Sequence, residues 1–154
     1  MQTTSAFWFF IYVEVISVTI QPDIIISSLD LERLEALLGS FSAFNTLSKF
    51  NLEEELERAT VVDSRHVPEN VVSMNSTVQL SLSSSEAPFY VTLVYPKDVR
   101  EDGSTLSILS PIGTALLGMK QGDEIYWPNP GGKNIKVRIE NILYQPERSG
   151  DYHR

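Results

Sequence analysis

The sequence predicts an α+β protein in which a short N-terminal antiparallel helical hairpin precedes an antiparallel sheet carrying one helix. Three observations lead there: leucines recurring every three or four residues from Leu31 to Leu38, a change to alternating and β-branched stretches after Asp63, and a helix start at Ser110-Pro111 set among those stretches.

Residues 1–20 precede the pattern. Thirteen of the twenty are apolar, but the longest unbroken run, Ala6 to Val13, is eight residues, whereas a bilayer-spanning helix needs about 20. Lys and Arg are absent and Glu14 interrupts the stretch, unlike the basic n-region and apolar core of a secretory signal. These residues read as a leader outside the fold, and no membrane association is expected.

The hairpin is expected over 21–66. Gln21-Pro22-Asp23 breaks the leader, and Ile24-Ile25-Ile26 reads as a short buried extended segment. Ser27, Ser28 or Asp30 can cap the helix that follows, and Leu31, Leu34, Leu37, Leu38 and Phe41 share one of its faces. Gly39 to Phe50 has no clean period and reads as a connection. A second helix is expected from about Asn51, with Leu52, Leu56 and Ala59 inward and Glu53, Glu54, Glu55 and Glu57 on the solvated surface.

The β-rich domain is expected over 67–154. Thr77 to Leu82 alternates, Phe89 to Tyr95 is β-branched and aromatic, and Ile135 to Tyr144 alternates again. Asp102-Gly103 marks one turn, and Pro128 to Gly132 marks another between Glu124-Ile125-Tyr126-Trp127 and the last strand. Ser81, Ser83, Ser84 and Ser85 are expected to form the polar end of a hairpin. One short helix, Ile112 to Gly118, follows Ser110 as cap and Pro111 at the first helical position.

Bulk properties bound the function. Hydrophobic residues make up 42% and charged residues 21%, as in a soluble globular protein. Twelve Lys plus Arg against twenty Asp plus Glu give a net charge of −8, the wrong sign for a protein that binds nucleic acid by neutralising phosphates. The absence of cysteine removes disulfides, thiolate metal sites and cysteine nucleophiles. The cytoplasm is the default compartment.

Catalytic and metal motifs are thin. Asp63-x-x-His66 offers two ligand types, but only His66 and His153 exist in the chain and no third ligand accompanies them. A surface turn before Pro68 explains the pair better. The serines lack a nucleophile-elbow glycine pattern. Gly131-Gly132-Lys133 lacks the other residues of a phosphate loop, having Trp127 and Asn134 where Gly and Ser or Thr belong. Asn75-Ser76-Thr77 fits a glycosylation sequon, which has no consequence without secretion. No cofactor and no metal are expected.

A more specific pattern is Ser110-Pro111-Ile112-Gly113-Thr114-Ala115-Leu116-Leu117-Gly118, then Gly122-Asp123-Glu124-Ile125, then Pro130-Gly131-Gly132. At these separations it resembles the C-terminal domain of the Gre transcript-cleavage factors. From about Asp23 to Tyr152 the chain further resembles the Gre-like regulators of nucleoside diphosphate kinase, through Ile24-Ile25-Ile26, Val71-Val72-Ser73-Met74-Asn75-Ser76, Leu93-Val94-Tyr95-Pro96 and Tyr144-Gln145-Pro146-Glu147.

The resemblance implies an FKBP-like C-terminal domain that docks on bacterial RNA polymerase at the rim of its secondary channel, with a coiled-coil finger pointing inward. It implies that Ser110, Pro111 and Ile112 contact the β′ subunit rim, and it places Phe44, Asn45 and Lys49 at the fingertip. Two helices of about eleven residues extend only about 17 Å. Gre cleavage factors carry fingertip acids that help hold magnesium, whereas Gly39 to Phe50 contains no Asp or Glu, and magnesium needs hard oxygen ligands. The expectation is therefore a non-catalytic regulator, not an enzyme, that competes with Gre factors. The alternative is a peptidyl-prolyl isomerase or folding helper, because FKBP-like folds include such enzymes. That reading needs Phe89, Tyr90, Tyr126 and Trp127 to converge on a concave pocket.

Overall fold

The computed structural model describes residues 23–40, 46–127 and 134–153. Residues 1–20, Phe41, Phe44, Asn45 and the Pro130-Gly131-Gly132 turn lie outside the described residues.

Strand β1 (Ile25–Ser27) leads directly into helix α1 (Ser28–Gly39). Of the three candidate caps, Ser27 does the work: its Oγ accepts the Asp30 backbone N–H at 3.0 Å and so satisfies a donor the helix leaves open. Leu34 and Leu38 are buried, with Leu31 and Leu37 packed against them. Helix α2 (Thr46–Arg58) starts five residues before the expected Asn51. Leu47 and Phe50 are 72% and 55% exposed, so the first turns show no buried face and leave no amphipathic period to read. Farther along, Leu52 is buried and Leu56 and Ala59 join the core edge. Strand β2 (Thr60–Val62) then pairs in parallel with β1, Ile26 opposite Val61.

A single 3-10 turn, Ser64–His66, follows. The Asp63 carboxylate accepts the Arg65 N–H at 3.0 Å, so the Asp63-x-x-His66 pair forms a local cap with an exposed histidine. Among the described residues no group of three or more His, Cys, Asp or Glu gathers as metal ligands would. Nor is any described helix long and apolar enough to cross a membrane.

The main sheet has five strands in the order β5-β4-β3-β7-β6, comprising β3 (Thr77–Leu82), β4 (Phe89–Val94), β5 (Thr105–Ser107), β6 (Glu124–Trp127) and β7 (Ile135–Tyr144). The expected antiparallel sheet is corrected at one edge, where β5 runs parallel to β4 with Leu106 opposite Leu93. The chain reverses twice between them, through a 3-10 turn at Pro96–Asp98 and the Asp102-Gly103 turn, where Gly103 takes φ +79. Three residues are too few to show a sequence period. Along β7, Val137, Ile139 and Ile142 face the core although 139 and 142 are three apart. A bulge accounts for this, since Leu80 faces Ile139 while its neighbour Gln79 faces Asn141.

Helix α3 (Pro111–Leu116) closes the fold. Ile24, Ile26, Leu34, Leu38 and Leu52 share one continuous buried cluster with Met74, Val78, Leu80, Leu93, Ile108, Leu116, Leu117, Val137 and Ile139. At the join, Gly118 takes φ +77, its carbonyl accepts the Ile25 N–H at 3.2 Å, and its N–H donates to the Val72 carbonyl at 2.8 Å. A Cβ there would lie 2.6 Å from the Ile24 Cβ, so glycine is required by both the backbone and the close approach.

Candidate functional site

The start of α3 is built by a chain of short-range bonds that leaves one side chain free. The Ser107 carbonyl accepts the Ser110 N–H at 3.0 Å and the Ser110 hydroxyl at 2.6 Å. The Ser107 hydroxyl in turn accepts the Leu109 N–H at 3.1 Å. Ser110 Oγ accepts the Gly113 N–H at 3.1 Å, capping the helix, and the Thr114 hydroxyl donates to the Ile108 carbonyl at 2.6 Å.

Ile108 is buried and Ile112 is half-buried against the core. A Cβ on Gly113 would fall far inside van der Waals contact of the Ser107 carbonyl oxygen and 2.8 Å from Ser110 Oγ. The turn therefore has one geometry, and it presents Pro111 to solvent at the first helical position. Ser110 serves the turn in both directions, as acceptor and as donor, which leaves Pro111 as the protruding member of the three. Of the fingertip residues, only Lys49 is described. It lies on α2 with its Nζ 3.9 Å from a Glu53 carboxylate oxygen.

A second polar cluster has no counterpart among the expectations drawn from the sequence. Asp30, on α1, is buried, and its Oδ2 accepts the Met74 N–H at 3.1 Å. Ser73 donates from its hydroxyl to Glu147 Oε2 at 2.6 Å, and Ser76 Oγ accepts the Ser73 N–H at 3.0 Å. Gln145, fully buried, donates through Nε2 to the Pro68 and Val71 carbonyls at 2.8 and 2.7 Å. Arg33 Nη2 donates to the His153 carbonyl at 2.8 Å.

The cluster thus ties α1, the 68–76 segment and the 145–153 tail together through polar contacts at their shared boundary. Burial pushes the Asp30 carboxyl up to about 7; the Met74 N–H opposes that, Glu147 adds to it and Arg33 offsets part of it. Burial likewise raises the Tyr95 hydroxyl, which sits near Asp30 and Arg33 and makes no hydrogen bond of normal geometry. One signal for this cluster was present: Asp30, Leu34 and Leu38 are four apart and so share the face that points inward.

Phe89, Tyr90 and Tyr126 do not converge on one pocket. Phe89 and Tyr90 begin β4 and Tyr126 lies on β6, with β3 and β7 between those strands. All three are exposed, and none lines the cleft between α1 and the β4–β5 connection.

Two family descriptions match this architecture. The C-terminal family of transcription elongation factors GreA/GreB matches residues 67–144, and the Rnk N-terminus family matches residues 22–62. The chain belongs to the Gre-type family of transcription elongation factors. Within it, the chain is 38% identical over 132 residues to the regulator of nucleoside diphosphate kinase of Escherichia coli strain K12, spanning 86% of this chain and 97% of that protein. It is 34% identical over 94 residues to the transcription elongation factor GreA of Helicobacter hepaticus, 58% of each chain. A solved structure of a prokaryotic transcription elongation factor GreA/GreB from Nitrosomonas europaea matches with TM-score 0.68 and 53% identity, over 80% of this chain and all of that one.

Proposed function

We propose that this protein is a non-catalytic cytoplasmic transcription regulator that docks on bacterial RNA polymerase through the start of α3 and competes there with Gre cleavage factors. The observation that carries the reading is Pro111, exposed on a turn with one allowed geometry inside a Gre-type domain. In this reading the C-terminal unit over 67–154 is FKBP-like and sits on the β′ rim of the secondary channel. Helices α1 and α2, within 21–66, form the inward-pointing hairpin, and residues 1–20 are an appendage to it.

The absence of cleavage chemistry follows from reach and composition. Helices of 12 and 13 residues extend about 18–20 Å, too short for the tip to approach a reaction centre deep in a channel. Between Gly39 and Phe50 the sequence offers no carboxylate to a magnesium ion. With Phe89, Tyr90 and Tyr126 spread over non-neighbouring strands, the isomerase alternative has no pocket to support it.

The test is a pull-down with purified core polymerase, comparing the wild type with Pro111→Glu. Glutamate suits the first turn of a helix, so the domain stays folded while its protruding apolar contact is replaced by a charge. Binding should drop at least about tenfold, equivalent to about 1.4 kcal/mol. Binding at full strength would refute the assigned contact. In backtracked elongation complexes the protein alone should release no cleaved transcript, and it should slow cleavage by an added Gre factor in proportion to its concentration.

A further inference from the structure

The cleft between α1 and the β4–β5 connection gathers three basic side chains in an otherwise acidic chain. The protein carries −8 overall, and Lys49, Arg58, Lys136 and Arg138 each lie within 4 Å of a glutamate oxygen, at 3.9, 2.7, 3.5 and 3.4 Å. In the cleft, Arg33 comes from α1 and Lys97 and Arg100 from the β4–β5 connection. None of these three is within salt-bridge distance of a carboxylate among the described residues. Arg65, Lys120 and Arg148 are likewise outside salt-bridge distance among the described residues, but they do not line this cleft. Here Asp98 is the one acid in the cleft wall among the described residues.

The backbone that carries these cations is fixed. Arg33 commits one guanidinium N–H to the His153 carbonyl and also faces the Tyr95 hydroxyl and the Asp30 carboxyl; of the five N–H donors on its planar fork, some remain to face the cleft. The segment bearing Lys97 and Arg100 is fixed by the Asp98 N–H to the Tyr95 carbonyl at 2.9 Å and by the Arg100 N–H to Thr105 Oγ1 at 2.8 Å. The floor contributes Asn75, which takes φ +65, an uncommon backbone for any residue but glycine. Its side-chain amide makes no hydrogen bond among the described residues, so it adds a donor pair to the same cavity.

Two guanidinium forks, an ammonium and an amide around one concave site match a compact group with several negative oxygens. A single carboxylate would use only part of the set. The cleft, about 1430 Å³, is open enough to take such a group together with whatever carries it. We propose that this cleft binds a phosphorylated small molecule of the diphosphate class, with Arg33, Lys97 and Arg100 holding the phosphate oxygens and Asn75 donating from the floor. These residues are distinct from Ser110, Pro111 and Ile112, so the site stands or falls independently of polymerase docking.

The test is isothermal titration of the full chain with two probes, inorganic pyrophosphate and adenosine diphosphate, against Lys97→Ala/Arg100→Ala and Lys136→Ala. Lys97 and Arg100 are exposed, so their removal leaves the core intact; Lys136 reports on charge lost outside the cleft. The wild type and Lys136→Ala should bind, and the double variant should bind at least about tenfold more weakly. Equal affinity for both probes would assign the site to the phosphate group alone, and tighter binding of adenosine diphosphate would assign it to a nucleotide. Failure of both probes to bind, equal affinity in the double variant, or an equal loss in Lys136→Ala would overturn the proposal. So would tighter binding of a short single-stranded RNA than of either probe, since the cleft would then serve a polymer.

Discussion

Asp30→Asn is the most informative single change for stability. Asp30 is buried on α1 and accepts the Met74 N–H at 3.1 Å, and its carboxyl is raised from 3.8 to about 7. A rise of that size corresponds to a ceiling of about 4 kcal/mol between the neutral and charged forms. The sign follows from proton binding: between pH 3.8 and about 7 the folded chain holds a proton on Asp30 that the unfolded chain has already released. This group's contribution is therefore fully present below 3.8, declines as pH rises through the window, and is lost above about 7. The amide of the variant would keep a carbonyl oxygen for the Met74 N–H and carries no charge at any of these pH values. By pH 5.5 about half of that ceiling, about 2 kcal/mol, is already lost to the wild type, so the variant should melt higher there and higher still above pH 7.5. At about 2–4 °C per kcal/mol for a chain of this size, the gap at high pH reaches at most about 16 °C. The assay is circular-dichroism melting of both proteins from pH 5 to 8.5, with the difference plotted against pH, so that titrations common to both cancel. A flat difference, or a variant less stable at pH 8, would refute the assignment of a neutral buried Asp30.

Three further changes test the geometry. Gly113→Ala should lower stability by about 1–3 kcal/mol, because the new Cβ meets the Ser107 backbone carbonyl, which cannot swing aside; chemical denaturation measures it. Gly118→Ala should do the same through its positive φ and the Ile24 contact, whereas Gly39→Ala, with nothing within 4 Å, should be neutral or stabilising by up to about 1 kcal/mol. Ser110→Asp should destabilise despite retaining a capping acceptor, since Asp cannot replace the hydroxyl donated to the Ser107 carbonyl at 2.6 Å, and melting beside Ser110→Ala separates the two roles.

How much of this was legible depended on whether a feature repeats along the chain. Helix α1, strands β3, β4, β6 and β7 and the Ser110-Pro111 cap each carry a local signature, and the structure places them within a residue or two of the expected bounds. The start of α2 did not, because Leu47 and Phe50 face solvent there and mimic an aperiodic connection. Strand β5 did not, because three half-buried residues form no pattern and the parallel pairing is decided by the turns that lead into it. The polar cluster was the least legible. Its members, Asp30, Ser73, Ser76, Gln145 and Glu147, are distributed over the whole chain, and their bonds run across separations such as 44 and 74 residues. Only Asp30 gave a local hint, an acid at a position whose helical neighbours are buried.

That distribution bears on how the two ends of the molecule are coupled. Ile24 sits against Gly118 just beyond the end of α3, while Asp30 on the adjoining α1 grips the 73–76 turn. The base of the helical part is thereby fixed to the end of the short helix whose start presents Pro111, by an apolar contact on one side and a polar one on the other. A hinge at this join would have to open both, exposing Ile24 and leaving a buried acceptor and the Met74 N–H without partners, each of which costs about 1–3 kcal/mol. The direction in which α1 and α2 project is for that reason set by the same residues that hold α3, and docking through Pro111 would aim the helices as one consequence of the fold.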